Sequence, residues 1–286
     1  PVLNPVEKTV TTIGEVTAPT IEHLDAILRR LAAAHAAADI AMPDLATVEL
    51  APGEVTLHLD TPSALPAPWT SSVDQLRWSI PAATPPDQVG PHIEDQPAPY
   101  PLLATIGLDD TDHAWLINLE DTTLTITGDT DFAQDYARHL ALEVACAPWS
   151  SLVQVDCFGI ATELAPISPD LLHIHNPAPE AGTKGVIADA LAQATTRSNA
   201  ATHFGTDQPT ARAHQLGADA WPAHLLLLNA THSTQHDVHD LAELIENHPG
   251  RTGTALVACN VQLIASTETL EFTSDGRVLL PGHGLD

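Results

Sequence analysis

Residues 123–146 read Thr-Leu-Thr-Ile-Thr-Gly-Asp-Thr-Asp-Phe-Ala-Gln-Asp-Tyr-Ala-Arg-His-Leu-Ala-Leu-Glu-Val-Ala-Cys, an alternating strand that runs through one glycine into an amphipathic helix. This stretch constrains the fold more than any other. A strand that turns tightly into a helix sends the chain back across a sheet, so the next strand lies parallel to the first. The pattern then recurs. Mostly apolar runs at 152–158, 224–229 and 254–259 alternate with helical stretches at about 184–199, 208–216 and 234–247. Short apolar strands separated by helices belong to a parallel sheet covered on both faces. The expected fold class is α/β, three layers around a mainly parallel sheet. A short helix near 169–172 and closing edge strands at 261–265, 269–273 and 277–280 complete the expectation.

The first part of the chain has a different texture. Thr20 is a good N-cap for a helix reaching about Ala38, with Ile21, Leu24, Ile27, Leu28 and Leu31 on one face. Strands at 46–50 and 54–60 flank the turn Ala51-Pro52-Gly53. Helix and hairpin make a small α+β module, assigned to 1–68. Ten prolines between 62 and 101 forbid any lasting helix. Residues 69–98 are therefore expected to be a semi-rigid tie that packs onto both neighbours through Trp69 and Trp78, with one edge strand at 75–80. A second hairpin, 102–108 with 113–120, opens the α/β domain assigned to 99–286. Its turn Asp109-Asp110-Thr111-Asp112 lacks the D-x-[DN]-x-[DN]-G-x5-E calcium loop and reads as a polar turn.

Charge narrows the partners. Ten basic against 37 acidic residues give a net charge of −27, and the only lysines are Lys8 and Lys184. With no basic patch, direct binding of nucleic acid or of an anionic bilayer by this segment is excluded as an expectation. No apolar run approaches the roughly 18 residues of a membrane span. Cys146, Cys157 and Cys259 show no C-x-x-C spacing, as in a reducing, cytoplasmic setting. The chain begins at Pro1 without a methionine, which suggests a segment excised from a longer protein.

The candidate nucleotide loop is Thr127, Gly128, Asp129 and Asp131, at the strand-to-helix turn. A Walker-type loop needs G-x-x-x-x-G-K-[ST], so that successive amides and a lysine meet the phosphates. This turn has one glycine and no lysine, and its two carboxylates stand where the phosphate would lie. No cofactor is expected there. Gly182-Thr183-Lys184-Gly185 has the wrong spacing for such a loop. Asp156, the acid that could act as a Walker-B equivalent, lacks its loop partner and is expected at a strand end or sheet edge. His232, His236 and His239 at a helix start form a candidate metal site, although H-E-x-x-H is absent; His173 and His175 alternate on an extended segment as a weaker one. No G-x-S-x-G elbow or Cys-His pairing points to nucleophilic catalysis.

Several blocks carry a resemblance: Tyr100-Pro101-Leu102-Leu103-Ala104-Thr105-Ile106-Gly107, Trp115-Leu116-Ile117-Asn118-Leu119-Glu120, Leu124-Thr125-Ile126-Thr127-Gly128-Asp129, Glu143-Val144-Ala145 and Pro148-Trp149. Residues 26–38 and 59–69, Asp219-Ala220-Trp221 and Arg251-Thr252-Gly253 extend it over most of the chain. Together they resemble the central region of large actinobacterial membrane proteins that carry a LysM module and a bacterial transcriptional activator domain. The α/β part of that family is similar to a degenerate FtsK/HerA-type P-loop ATPase, with Thr127-Gly128-Asp129 at the nucleotide loop. The resemblance implies a non-catalytic, ATPase-like scaffold in a larger membrane-linked regulatory protein, with a protein partner or other domains of the same polypeptide as its contacts and a homo-oligomer as one arrangement. Two alternatives stand beside it: an NTPase or hydrolase subunit completed in trans by a neighbour, and a His-mediated metal-binding module.

Overall fold

The computed structural model describes residues 19–167, 170–175, 180–217, 221–229, 238–260 and 268–283. Its first helix, α1 (Ile21–Ala38), starts where Thr20 Oγ1 accepts the His23 amide and ends on Asp39 in a left-handed conformation. The face bearing Leu24, Ile27, Leu28 and Leu31 is buried against an antiparallel sheet. That sheet contains β1 (Leu45–Ala51), β2 (Glu54–Leu59), β3 (Thr70–Ser71), β4 (Arg77–Pro81), β5 (Leu103–Leu108) and β6 (Ala114–Asn118) in the order β3-β4-β2-β1-β6-β5.

The hydrogen-bonded sheet runs across the division expected at 68 and 98. β3 and β4 come from the proline-rich stretch, and a one-turn helix α2 (Pro86–Val89) follows them. The hairpin β5–β6 joins through β6, whose Ile117 lies opposite Thr47 of β1. Trp69 and Trp78 are buried in the α1 core. The prolines exclude helix but still allow short strands whose neighbours supply the pairing.

The second sheet contains β7 (Thr123–Gly128), β8 (Val153–Phe158), β9 (Leu172–His175), β10 (Ala223–Asn229), β11 (Thr254–Cys259), β12 (Glu268–Phe272) and β13 (Val278–Leu279). Their order is β13-β12-β7-β11-β10-β8-β9, and every pairing is parallel except that of β12 with β13. The fold is α/β with a mostly parallel sheet. Two expectations change here. Leu172 opens a strand instead of ending a helix, because Leu172 and Ile174 alternate with His173 and His175 alongside β8. β12 is not an edge strand: it lies directly beside β7.

Alternation along the strands produces the layers. On β10, Leu225 and Leu227 point to one core, which they share with Ala133, Ala137, Leu140, Ala141 and Val144 of α3 (Thr130–Cys146). Leu226 and Leu228 point to the other core, with Ile187, Ala190 and Ala194 of α4 (Glu180–Phe204) and Leu241 and Ile245 of α6 (His239–Asn247). Between these helices comes α5 (Gln208–Ala213), capped by Asp207. Each fully buried leucine contributes about 1.5–3 kcal/mol.

α3 is shared between the two sheets. Ala104, Ile106 and Ile117 of the first sheet lie in the same core as its inner face. Tyr136 Oη donates to Thr105 O at 3.0 Å, and Glu143 accepts the Thr105 amide. Just beyond the helix, Trp149 Nε1 donates to Leu103 O at 3.1 Å. The strand, glycine turn and helix therefore form the joint of the whole molecule.

Candidate functional site

In a parallel α/β sheet, ligands sit beyond the C-terminal ends of the strands, where the chain reverses its direction of travel across the sheet. Here the chain leaves β7 for β8, returns through β10 and β11, and crosses to β12 on the far side of β7. Thr127, Gly128, Asp129 and Asp131 stand at that edge.

One residue, Asp129, separates β7 from α3. A phosphate cradle needs several consecutive amides pointing inward, and this turn has no span for them. Four of its amides are already engaged. The Asp129 amide donates to Phe272 O at 2.8 Å. Asp129 Oδ1 accepts the amides of Asp131 (3.1 Å) and Phe132 (3.2 Å), and the Ala133 amide donates to Asp129 O. A side-chain cap of this kind is worth about 1 kcal/mol, and the acid also complements the helix dipole. Gly128, at φ +94°, lies so close to β12 that a Cβ on it would come within 2.0 Å of Phe272 O.

The neighbouring strand ends carry neutral groups. Asn229 Nδ2 donates to Gly159 O, and the Asn260 amide donates to Ile126 O. The segments after β10 and β11, 230–237 and 261–267, lie outside the described residues.

Asp156 is not at a strand end or a sheet edge. It sits in the middle of β8, 1% exposed, with β9 and β10 on either side. Two strands lie between β8 and β7, a separation of roughly 14 Å at the usual spacing. Asp156 therefore has no part in the chemistry of the turn. Its Oδ2 is 2.5 Å from His224 Nε2, its Oδ1 is 2.5 Å from His175 Nε2, and Gln154 Nε2 donates to Oδ2 at 2.8 Å. His173 Nδ1 is 3.7 Å away, and the His175 ring stacks on Phe158.

Burial alone would raise the Asp156 pKa, but the hydrogen bonds from His224 and His175 outweigh it and hold the carboxyl at about 2. A carboxyl depressed in the folded state stabilises the fold above its unfolded pKa. That stability is lost as pH falls from about 4 to about 2, and amounts to roughly 2 kcal/mol. Asp156→Asn is accordingly expected to cost about 2 kcal/mol at neutral pH and to flatten the acid side of the stability curve. Urea unfolding of both proteins between pH 2 and 7 checks this, and parallel curves would refute it.

Among the described residues, no three histidine, cysteine, aspartate or glutamate side chains are placed to hold a metal ion. His239 opens α6, whereas His232 and His236 lie outside the described residues.

A second polar centre, unsignalled by any local motif, lies where the sheets meet. Arg212 of α5 is 1% exposed and donates through both terminal nitrogens to Glu120, through Nε to Trp221 O, and through one terminal nitrogen to Pro99 O. Next to it, burial and then the Glu120 charge push Asp121 up to about 7. Arg197, lowered to about 10 by burial, donates to Thr252 O and Thr254 Oγ1.

Fold and site together define a mostly parallel α/β domain whose β7–α3 turn is capped by the Asp129 side chain and held to β12 through Phe272 O. Among solved structures, the chain is similar to the cytoplasmic domain of the type VII secretion ATPase EccC of Thermomonospora curvata, at 17% identity and TM-score 0.48 over 63% of this chain and 24% of that one. It is also similar to ATPases 2 and 3 of EssC from Geobacillus thermodenitrificans (11%, TM-score 0.48, 60% and 37% covered) and to the pCW3 conjugation coupling protein TcpA (11%, TM-score 0.42, 81% and 75%). The chain thus spans about a quarter of the EccC domain and little more than a third of the EssC one. No protein family profile and no curated protein matches the sequence. Among the described residues, no helix is long and apolar enough to cross a membrane.

Proposed function

We propose that this chain is a non-catalytic, ATPase-like scaffold or interaction domain of a larger protein. The observation that carries the reading is the β7–α3 turn, where Asp129 and Phe272 O take up the amides of Asp129, Asp131, Phe132 and Ala133. A polyphosphate there would face Asp129 and Asp131 with no lysine to offset the repulsion. The resemblance of the sequence to LysM and activator-domain proteins adds the setting: a cytoplasmic segment of a membrane-linked regulator whose contacts are other domains or a protein partner.

Calorimetric titration with ATP and magnesium is the direct test. No saturable binding is expected below about 100 μM, which corresponds to roughly −5.5 kcal/mol. Saturable binding in that range would overturn the proposal. If it occurred only in a ring-sized oligomer detected by light scattering, an NTPase completed by its neighbour would replace it.

A further inference from the structure

Each sheet ends in a strand with one hydrogen-bonded neighbour among the described residues, β5 in the first sheet and β13 in the second. These two ends meet. A Cβ placed on Gly107 of β5 would lie 3.9 Å from Val278 Cγ1 of β13. Next to this contact a cavity of about 540 Å³ opens between the β5–β6 and β12–β13 hairpins, a size typical of ligand sites. Its apolar walls are Ile106, Trp115, Phe272, Val278 and Leu280. Leu108, 69% exposed, also lines it, and the exposed Phe132 ring packs beside it on Gly276. Large apolar side chains exposed together around an apolar cavity mark a docking surface, whereas scattered ones do not.

Charge selects what fits there. Asp109, Asp110 and Asp112 lie in the turn of one hairpin, and Asp275 lies in the turn of the other. Among the described residues lining the cavity, Arg277 is the one cation, and Asp110 takes it at 2.9 Å in a pair that is 57% and 80% exposed. His113 stands 2.8 Å from Glu49 and 3.7 Å from Asp109. Hydrogen bonds from the Thr111 hydroxyl and the Trp115 indole hold the Asp109 carboxyl below the usual carboxylate range. The Thr273 hydroxyl does the same for Asp275. The result is an apolar hole with an anionic lip on each side. An exposed ion pair is weak, so Arg277 yields Asp110 readily to a competing cation.

We propose that this cavity docks a peptide segment of a partner protein, which inserts a leucine or tryptophan side chain and flanks it with lysine or arginine. The apolar anchor fills the hole, and the basic residues on its two sides meet one lip each. A small amine would reach a single lip. A second copy of this chain, at a net charge of −27, would be repelled. The partner class rests on the reading of the chain as an interaction domain, which the nucleotide titration decides separately.

The test uses the full chain and NMR at about 50 mM salt, where surface charges are only partly screened. It follows the Trp115 indole N–H and the Leu108 and Arg277 amides. The probe is acetyl-Lys-Arg-Leu-Trp-Arg-Lys-amide, compared with a peptide carrying Ser-Gly in place of Leu-Trp, one carrying Glu and Asp in place of the basic residues, and tryptamine. Saturable shifts with the first peptide are expected below about 100 μM, and at least roughly tenfold weaker binding with the other three. Arg277→Ser removes the competing cation and should tighten binding several-fold. Leu108→Gln, at an exposed position, should weaken it about tenfold and leave thermal unfolding unchanged. Absence of saturation, equal binding of the Ser-Gly peptide or of tryptamine, or indifference to both substitutions would overturn the proposal. So would shifts that grow with protein concentration alone, which would make a second copy the occupant. A failed peptide titration refutes this partner class and leaves the scaffold reading to the ATP result.

Discussion

Replacing Arg212 by leucine is expected to cost about 3–5 kcal/mol, the largest loss from any single substitution considered for this chain. The guanidinium is fully buried, and its removal leaves the Glu120 carboxylate, 2% exposed, without its partner. Trp221 O and Pro99 O lose a donor at the same time. The pair also joins distant parts of the chain, since Glu120 follows the last strand of the first sheet and Arg212 lies on α5, 92 residues away. Its loss should therefore loosen the junction as well as a local contact. Adding Glu120→Gln to Arg212→Leu removes the orphaned charge and should return about 1–2 kcal/mol, a non-additivity characteristic of groups in direct contact. Urea unfolding of the two singles and the double measures this. A cost below about 1 kcal/mol for Arg212→Leu would show that the pair contributes little beyond its own desolvation.

Gly128→Ala is the second large effect, at about 3 kcal/mol or more. At φ +94° an alanine is strained by about 1–3 kcal/mol wherever it sits. Here its Cβ would also meet Phe272 O at 2.0 Å and Phe272 C and N at 2.8 Å, all of them backbone atoms with no rotamer to change. β7 and β12 must separate at this point, and the hydrogen bond from the Asp129 amide to Phe272 O goes with them. Gly205→Ala is the control: it has a similar φ, +66°, and nothing within 4 Å of the added Cβ. It should show the backbone strain alone, about 1 kcal/mol. Equal losses for the two alanines, by thermal or urea unfolding, would mean that the approach of β12 to the turn is not tight.

Both results bear on what could be read from the residues alone. The glycine turn, its acidic cap and the missing lysine were legible, because capping and loop chemistry act over three or four residues. β11 falls on the expected bounds, 254–259, since Thr254 and five apolar residues between a Gly turn and a polar asparagine have few other uses. The hairpin 103–118 was legible as a hairpin but not as part of the first sheet. Its two-residue alternation suits either sheet, and pairing with β1 is settled by which strand edge lies open beside it.

The polar centres were harder to see. His173 and His175 showed their alternation in the sequence, and Asp156 its place in a strand. That His175 and His224 would converge on that aspartate depends on β9 and β10 lying on either side of β8, from 19 and 68 residues away. Glu120 with Arg212, and Asp121 with Thr252, leave no local signal at all.

The sequence by itself determined the α/β class, the helix caps at Thr20 and Asp129 and the single glycine of the strand-to-helix turn. These follow from periodicity and from hydrogen bonds between near neighbours. Only the tertiary structure decided which strands share a sheet, that α3 joins the two sheets, and that buried charges gather where they meet. Those outcomes depend on burial and on Coulomb interactions between groups brought together from across the chain, whose strength is set by surroundings that exist only once it has folded.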